Sequence, residues 1–275
     1  MDYVTPYEVS TAMVESGATK ARLSAGDILI RGALSGALLG FSESLAAAVT
    51  AATGDAVVGA VLFPVGFIMI ALLNLELFTG SCALLPVAGY AGRATGGQVL
   101  RSLVLVYIGN LIGSLAYAVL YAAVSTHFFT TAPDAVGAKL IAIATAKTAP
   151  YMAAGGAGWA TAFLKGVLCN WMVSFGSVMA LVSRSVIGKI VAAWMPIMAF
   201  VAMGFEHCVV NMFAVPVGMM LGAPINVGTW LVWNQIPVTL GNIIGGVILT
   251  GTAMYATYYK PAPATATVAM RAAAE

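Results

Sequence analysis

Apolar residues fill six long stretches of the chain, roughly 28–52, 56–90, 102–126, 159–182, 190–221 and 229–259, and the segments between them hold most of the charge. Residues 102 to 133 contain no Asp, Glu, Lys or Arg. Windows this long and this clean are membrane spans. The pattern predicts an all-α membrane protein of six transmembrane helices, with a transmembrane domain over 28–259. Residues 1–27 carry Asp2, Glu8, Glu15, Lys20, Arg22 and Asp27 without an apolar run, so they read as a short polar N-terminal segment and not as a secretory signal. Residues 260–275, rich in Ala, Pro and Thr from Pro261 onward, read as a flexible C-terminal tail.

Two of the stretches are too long for one perpendicular helix. At about 1.5 Å per residue, 190–221 would reach roughly 48 Å, against about 30 Å of hydrocarbon, and 56–90 has the same excess. Each also holds charge in its middle, Glu76 in one and Glu206 with the ionisable His207 in the other. A broken helix with irregular backbone at mid-membrane explains both features, provided protein or a water-filled cavity satisfies the freed amides and carbonyls. A strongly tilted, unbroken helix is the alternative.

The two halves, about 28–126 and 159–259, can be laid over one another at three places. Arg31-Gly32-Ala33-Leu34-Ser35 matches Lys165-Gly166-Val167-Leu168-Cys169, Glu76 and Pro86 match Glu206 and Pro216, and Gly109-Asn110-Leu111-Ile112-Gly113 matches Gly241-Asn242-Ile243-Ile244-Gly245, at offsets of 134, 130 and 132. Each half has three spans, an odd number, so the second half enters the membrane inverted relative to the first. Such inverted 3+3 repeats place their sites at broken helices near the midplane, which directs attention to residues 74–82 and 204–211.

Composition narrows the reading. Of the 275 residues 61% are hydrophobic and 8% charged, where a soluble domain carries about 25% charged residues. A net charge of +2 is too small for nucleic-acid binding, which needs clustered basic surface. With the N-terminus inside, the inner side collects Lys20, Arg22, Arg31, Arg93, Arg101, Arg184, Lys189, Lys260 and Arg271, nine of the twelve basic residues. That asymmetry predicts an inner or plasma membrane protein with both termini cytoplasmic. Cys82, Cys169 and Cys208 lie inside apolar stretches and read as small buried side chains.

Ionisable groups within spans are costly and point to function. Glu76 and Glu206 are partners in the repeat, which favours a structural role for both at the helix breaks. His207 has Leu77 as its partner, so no symmetry of the fold requires it, and imidazole can donate a hydrogen bond or a proton near neutral pH. Thr79 and Asn211, and Asn170 on the fourth span, are polar companions, with interhelical hydrogen bonding as their alternative role. The residues supply no metal-ligand spacing, no phosphate-binding loop and no nucleophile elbow, so neither a metal, a cofactor nor an enzyme activity is expected. A Ser42–His207 dyad of an intramembrane hydrolase is the remote alternative.

The motifs FPVGFIMI (63–70), LELFTG (75–80), KGVLCNWMV (165–173), GFEHCVVNMF (204–213) and IPVTLGNIIGG (236–246) resemble the formate/nitrite transporter family, most closely its formate-transporter branch associated with formate dehydrogenase. The resemblance implies a homopentamer of aquaporin-like protomers in the lipid bilayer, each with its own pore for small monovalent anions. Formate leads, and nitrite, hydrosulfide and short carboxylates are the alternatives. It also implies that His207 is the central histidine facing Thr79, with Asn170 and Asn211 beside the pathway. Hydrophobic constrictions fall on Phe63, Phe67, Leu77 and Phe200. Lys147, in Ala146-Lys147-Thr148-Ala149-Pro150, takes the place of the lysine that draws anions toward the pore, with an insertion around Gly155–Gly158 between it and the KGVLCNW motif. Under that resemblance Lys147 and the half-helix dipoles concentrate the anion, apolar rings strip its water, and His207 can protonate it so that a neutral acid crosses. A receptor or assembly protein with a blocked pore is the reading left if no anion moves.

Overall fold

The structure is a computed structural model that describes residues 2–260. The tail that begins at Pro261, with Arg271 in it, lies outside the described residues. The described chain is helical, with one isolated antiparallel bridge between Tyr3 and Ser183. In order the helices are α1 (Pro6–Ala21), α2 (Ala25–Thr53), α3 (Ala56–Leu62), α4 (Pro64–Leu72), α5 (Phe78–Tyr90), α6 (Gly96–Ser125), α7 (Ala135–Ala146), α8 (Ala149–Ala153), α9 (Gly155–Met179), α10 (Val186–Ala202), α11 (Cys208–Met220) and α12 (Val227–Tyr258).

Four of these, α2, α6, α9 and α12, are long and apolar enough to cross a membrane unaided. The two over-long stretches are divided among shorter helices. The first leaves helical geometry after α4 and resumes at α5; the second does so between α10 and α11. Both breaks are closed by the same device. Asn74 and Gly204 adopt left-handed backbone with φ of 50° and 64°, and the next amide reaches back to the helix just ended, Leu75 N to Ile70 O at 3.0 Å and Phe205 N to Phe200 O at 3.1 Å. This is a Schellman-type C-cap, for which glycine and asparagine carry the smallest steric cost. The chain then runs extended through Leu77 and His207, which cap α5 and α11.

Irregular backbone inside apolar surroundings must find partners elsewhere. Two asparagines supply them. Asn110 on α6 accepts from Phe78 N (2.9 Å) and donates to the carbonyls of Gly32 (2.8 Å) and Glu76 (2.9 Å). Asn242 on α12 accepts from Cys208 N (2.9 Å) and donates to the carbonyls of Gly166 (2.8 Å) and Glu206 (3.0 Å). Each asparagine ties a break to the pair of long helices beside it. Those pairs are in close contact: a Cβ on Gly113 would lie 1.7 Å from the Ala33 carbonyl oxygen of α2, and one on Gly245 would lie 2.2 Å from that of Val167 on α9.

The polar N-terminal segment holds a helix over Pro6–Ala21, opened by a Thr5–Glu8 capping box with Pro6 in the first turn. On its buried face Val9, Met13 and Val14 pack on Leu84 and Val87 of α5 and Val178 of α9, and Ala18 and Ala21 are buried with them. The face is dispersed at helical spacing among polar residues, so no apolar run exists to announce it. The segment between the third and fourth apolar stretches likewise contains helices, α7 and α8. Leu140 of α7 packs with Phe213, Ala214 and Val217 of α11, and Ala144 lies against Gly218, in the manner of α1 on α5.

Replacing Asn110 or Asn242 by leucine strands one buried amide and two carbonyls at a break. Each change is expected to destabilise the protein by about 2 kcal/mol or more, measured by thermal unfolding in detergent, whereas leucine at the exposed Thr11 position leaves the transition in place.

Candidate functional site

The two breaks bring the N-termini of α5 and α11 together. Thr79 lies in the first turn of α5, His207 caps α11, and the Thr79 hydroxyl is 3.2 Å from His207 Nε2. Both side chains are buried. His207 Nδ1 accepts the amides of Val209 (3.1 Å) and Val210 (3.3 Å), so a neutral ring carries its proton on Nε2 and turns that N–H toward Thr79. Two helix N-termini meeting at one point, with an N–H and a hydroxyl between them, form an electropositive spot suited to a small anion.

A lysine–glutamate pair with a buried carboxylate stands at each break. Lys147, just after α7, meets Glu206 at 3.0 Å, and Lys20, at the end of α1, meets Glu76 at 2.8 Å. The Glu206 carboxylate is held by three further donors, Tyr151 (2.8 Å), Asn211 (2.9 Å) and Asn234 (3.3 Å). Asn234 also donates to the Lys147 carbonyl at 2.9 Å. It sits in a π-helical stretch of α12, Leu231–Gln235, the kind of local unwinding that recurs where side chains are aimed into sites. Lys165, which falls inside the fourth apolar stretch, lies with Nζ over the Tyr151 ring at 5.9 Å to its centre.

Large apolar side chains stand nearby. Phe63 and Phe200 meet edge to face at 5.8 Å between ring centres, and Phe200 reaches the His207 ring at 5.7 Å. Phe67 and Leu77 line a cavity of about 260 Å³ that also touches Lys20, Asn74, Ser81 and Lys189. All four apolar residues are buried.

The structure therefore brings His207, Thr79, Glu206, Lys147 and Asn211 into one cluster, with Phe63 and Phe200 beside it. Asn170 is adjacent but spends its amide on the carbonyls of Thr79 (3.2 Å) and Asn242 (2.6 Å). Glu76 is at the other break with Lys20. The Ser42–His207 dyad is not formed: Ser42 Oγ accepts the Gly66 amide at 2.9 Å, and both ring nitrogens of His207 are engaged elsewhere. Among the described residues no three His, Cys, Asp or Glu side chains cluster as a metal site would require.

Sequence reasoning missed Lys20, Tyr151 and Asn234. Lys20 had a signal, because it precedes Glu76 by nearly the distance that separates Lys147 from Glu206. Tyr151 is positioned by the glycine segment that follows it. Gly155, at φ 57°, turns α8 into α9, and Gly158 lies so near Tyr151 that a Cβ would sit 2.0 Å from its carbonyl oxygen. That segment had been legible only as an insertion.

Comparison with known proteins gives the same direction. The profile of the family described as formate/nitrite transporter matches residues 7–256. The chain is 36% identical over 272 residues to a probable formate transporter of Methanothermobacter thermautotrophicus, covering 94% of this chain and 98% of that one. A solved FNT family ion channel superposes with a TM-score of 0.80 at 27% identity, over 92% of this chain and 99% of the other. A pentameric formate channel with formate bound superposes with a TM-score of 0.71 at 29% identity, over 86% and 98%. The chain, a helical membrane protein, belongs to the formate/nitrite transporter family.

Proposed function

We propose that this chain forms a pentameric membrane channel or transporter for small monovalent anions, with formate as its substrate. One observation carries the reading: two opposed helix N-termini present the Nε2–H of His207 and the hydroxyl of Thr79 at one buried point, flanked by a lysine–glutamate pair at each break. A bare anion in low dielectric is strongly disfavoured, and this is the place along the chain where dipoles, a hydrogen-bond donor and nearby cations offset that penalty together. Formate is favoured because a relative and a structural neighbour are named for it. The pentamer rests on that neighbour and on the many large apolar side chains exposed along the long helices.

The reading has six spans in two inverted halves, with both termini on the cytoplasmic side. The matched hydrogen bonds of Asn110 and Asn242 and the matched pairs Lys20–Glu76 and Lys147–Glu206 support the repeat. Along the pathway, Lys147 draws the anion in, Phe63 and Phe200 strip its water on one side of His207, and Phe67 and Leu77 do so on the other. Asn170 and Asn211 act through the Thr79 carbonyl and the Glu206 carboxylate that they hold. The His207 Nε2–H has two possible uses, to hydrogen-bond the anion or to supply a proton so that the neutral acid crosses.

Stopped-flow uptake of formate, nitrite and hydrosulfide into proteoliposomes tests the substrate. Formate moving fastest supports the proposal, nitrite or hydrosulfide moving fastest reassigns the substrate, and no flux at all points to a receptor or assembly role. His207→Phe is expected to abolish the pH-dependent change between anion and neutral-acid transport; an unchanged pH dependence removes the proton-relay role. Lys147→Ala is expected to raise KM for formate several-fold, and also to destabilise the fold by about 3–5 kcal/mol because it strands the Glu206 carboxylate. Lys147→Arg should recover both, and normal KM in a folded Lys147→Ala protein would assign anion capture to another residue.

A further inference from the structure

The charges at the two breaks are not balanced alike. At one, Lys20 meets the single carboxylate of Glu76. At the other, Lys147 stands within electrostatic range of two buried carboxylates, Glu206 and Glu43. Glu43 lies on α2, 9% exposed, where that helix packs against α7 and α11; one turn on, Ala47 joins Leu140, Phe213 and Ala214 in an apolar cluster. Glu206 is saturated by four donors, whereas no hydrogen bond from the described residues reaches Glu43.

The elements packed against α2 supply few other charges. Helices α3 and α4 carry none, α6 offers the phenols of Tyr117 and Tyr121 at this level, and α7 carries Lys139 two turns before Lys147. Glu206, His207 and the Cys208 thiol stand at the start of α11. Lys147 and Glu206 are the charges that act on Glu43. The offset of 134 that aligns α2 with α9 sets Ser177 opposite Glu43, and Ser177 lines the cavity at the Lys20 end. In the repeat, Glu43 is thus the residue that takes the place of Ser177.

We propose that Glu43 is a proton-binding site whose protonation admits the anion to the space around Lys147. The proposal rests on the anion-transport reading above. With Glu43 ionised, the cluster of Lys147, Glu206 and Glu43 carries a net negative charge and repels an incoming anion. With the Glu43 carboxyl protonated from water, the cluster is neutral and the pull of Lys147 and the α11 terminus prevails. Linkage makes the effect reciprocal, so an anion in this space favours the proton on Glu43. Glu43 thus gives the chain a means of coupling anion uptake to protons that does not require His207 to release its own.

The test uses the full-length protein in proteoliposomes, with formate uptake measured at equal internal and external pH between about pH 5 and 8. The ratio of Glu43→Gln to wild-type uptake divides out protonation of formate itself. It is expected to stay near one at the acid end and to rise at least threefold toward the alkaline end, because glutamine keeps the neutral form at every pH. A constant ratio in a folded protein overturns the role of Glu43 while leaving formate transport intact. Absence of formate uptake by the wild type overturns the transport reading instead. If Glu43→Gln does not fold, Glu43→Met carries the same expectation. Infrared difference spectra should show a protonated carboxylic acid band that titrates in the wild type and is lost in whichever variant folds; its persistence there refutes the assignment.

Discussion

Backbone left unpaired in a membrane interior has no water to turn to, and the structure is organised around meeting that demand at two helix breaks. Asn110 and Asn242 each bind an amide and two carbonyls, so that a segment which would otherwise be expelled from the hydrocarbon is tied to two long helices at once. The glycines at positions 32, 36, 109 and 113 in one half and 166, 241 and 245 in the other exist in service of this. They let α2 approach α6, and α9 approach α12, closely enough for a short asparagine side chain to span from one helix to the break beside it. With the breaks secured, α5 and α11 can begin in the middle of the molecule, and their N-terminal dipoles point at the same place.

The charged residues follow from that arrangement. Glu76 and Glu206 sit in the extended segments before α5 and α11, and each is neutralised by a lysine carried on a peripheral helix, α1 or the end of α7. A buried pair of this kind contributes little net stability, yet removal of either member is expensive. The peripheral helices are therefore more than packing: they deliver a cation to the glutamate at each break. At the Lys147 side the delivery is reinforced by Tyr151 and by Asn234, the first positioned by the glycine segment before α9 and the second by local π-helical winding of α12. Glu43 adds an acid there that has no counterpart at the Lys20 side.

The sequence by itself determined the helical membrane character, the stretches too long to cross unbroken, the location of the breaks near Glu76 and Glu206, and the family, because these depend on long apolar runs, on charge stranded within them and on contiguous motifs such as GFEHCVVNMF and LELFTG. Helix α1 was hidden because its apolar positions are separated by polar ones that face water. The tertiary structure alone decided the partnerships. Lys20 and Glu76 lie 56 residues apart, Thr79 and His207 lie 128 apart, and Asn234 meets Glu206 across 28. The same residue types admit many other pairings, and only the crossing of the helices and the direction of each side chain select among them. Asn170 and Asn211 illustrate the difference: as letters they were polar residues near a pore, and in three dimensions their amides hold the carbonyl of Thr79 and the carboxylate of Glu206, since a buried donor binds the nearest acceptor that the fold brings within about 3 Å.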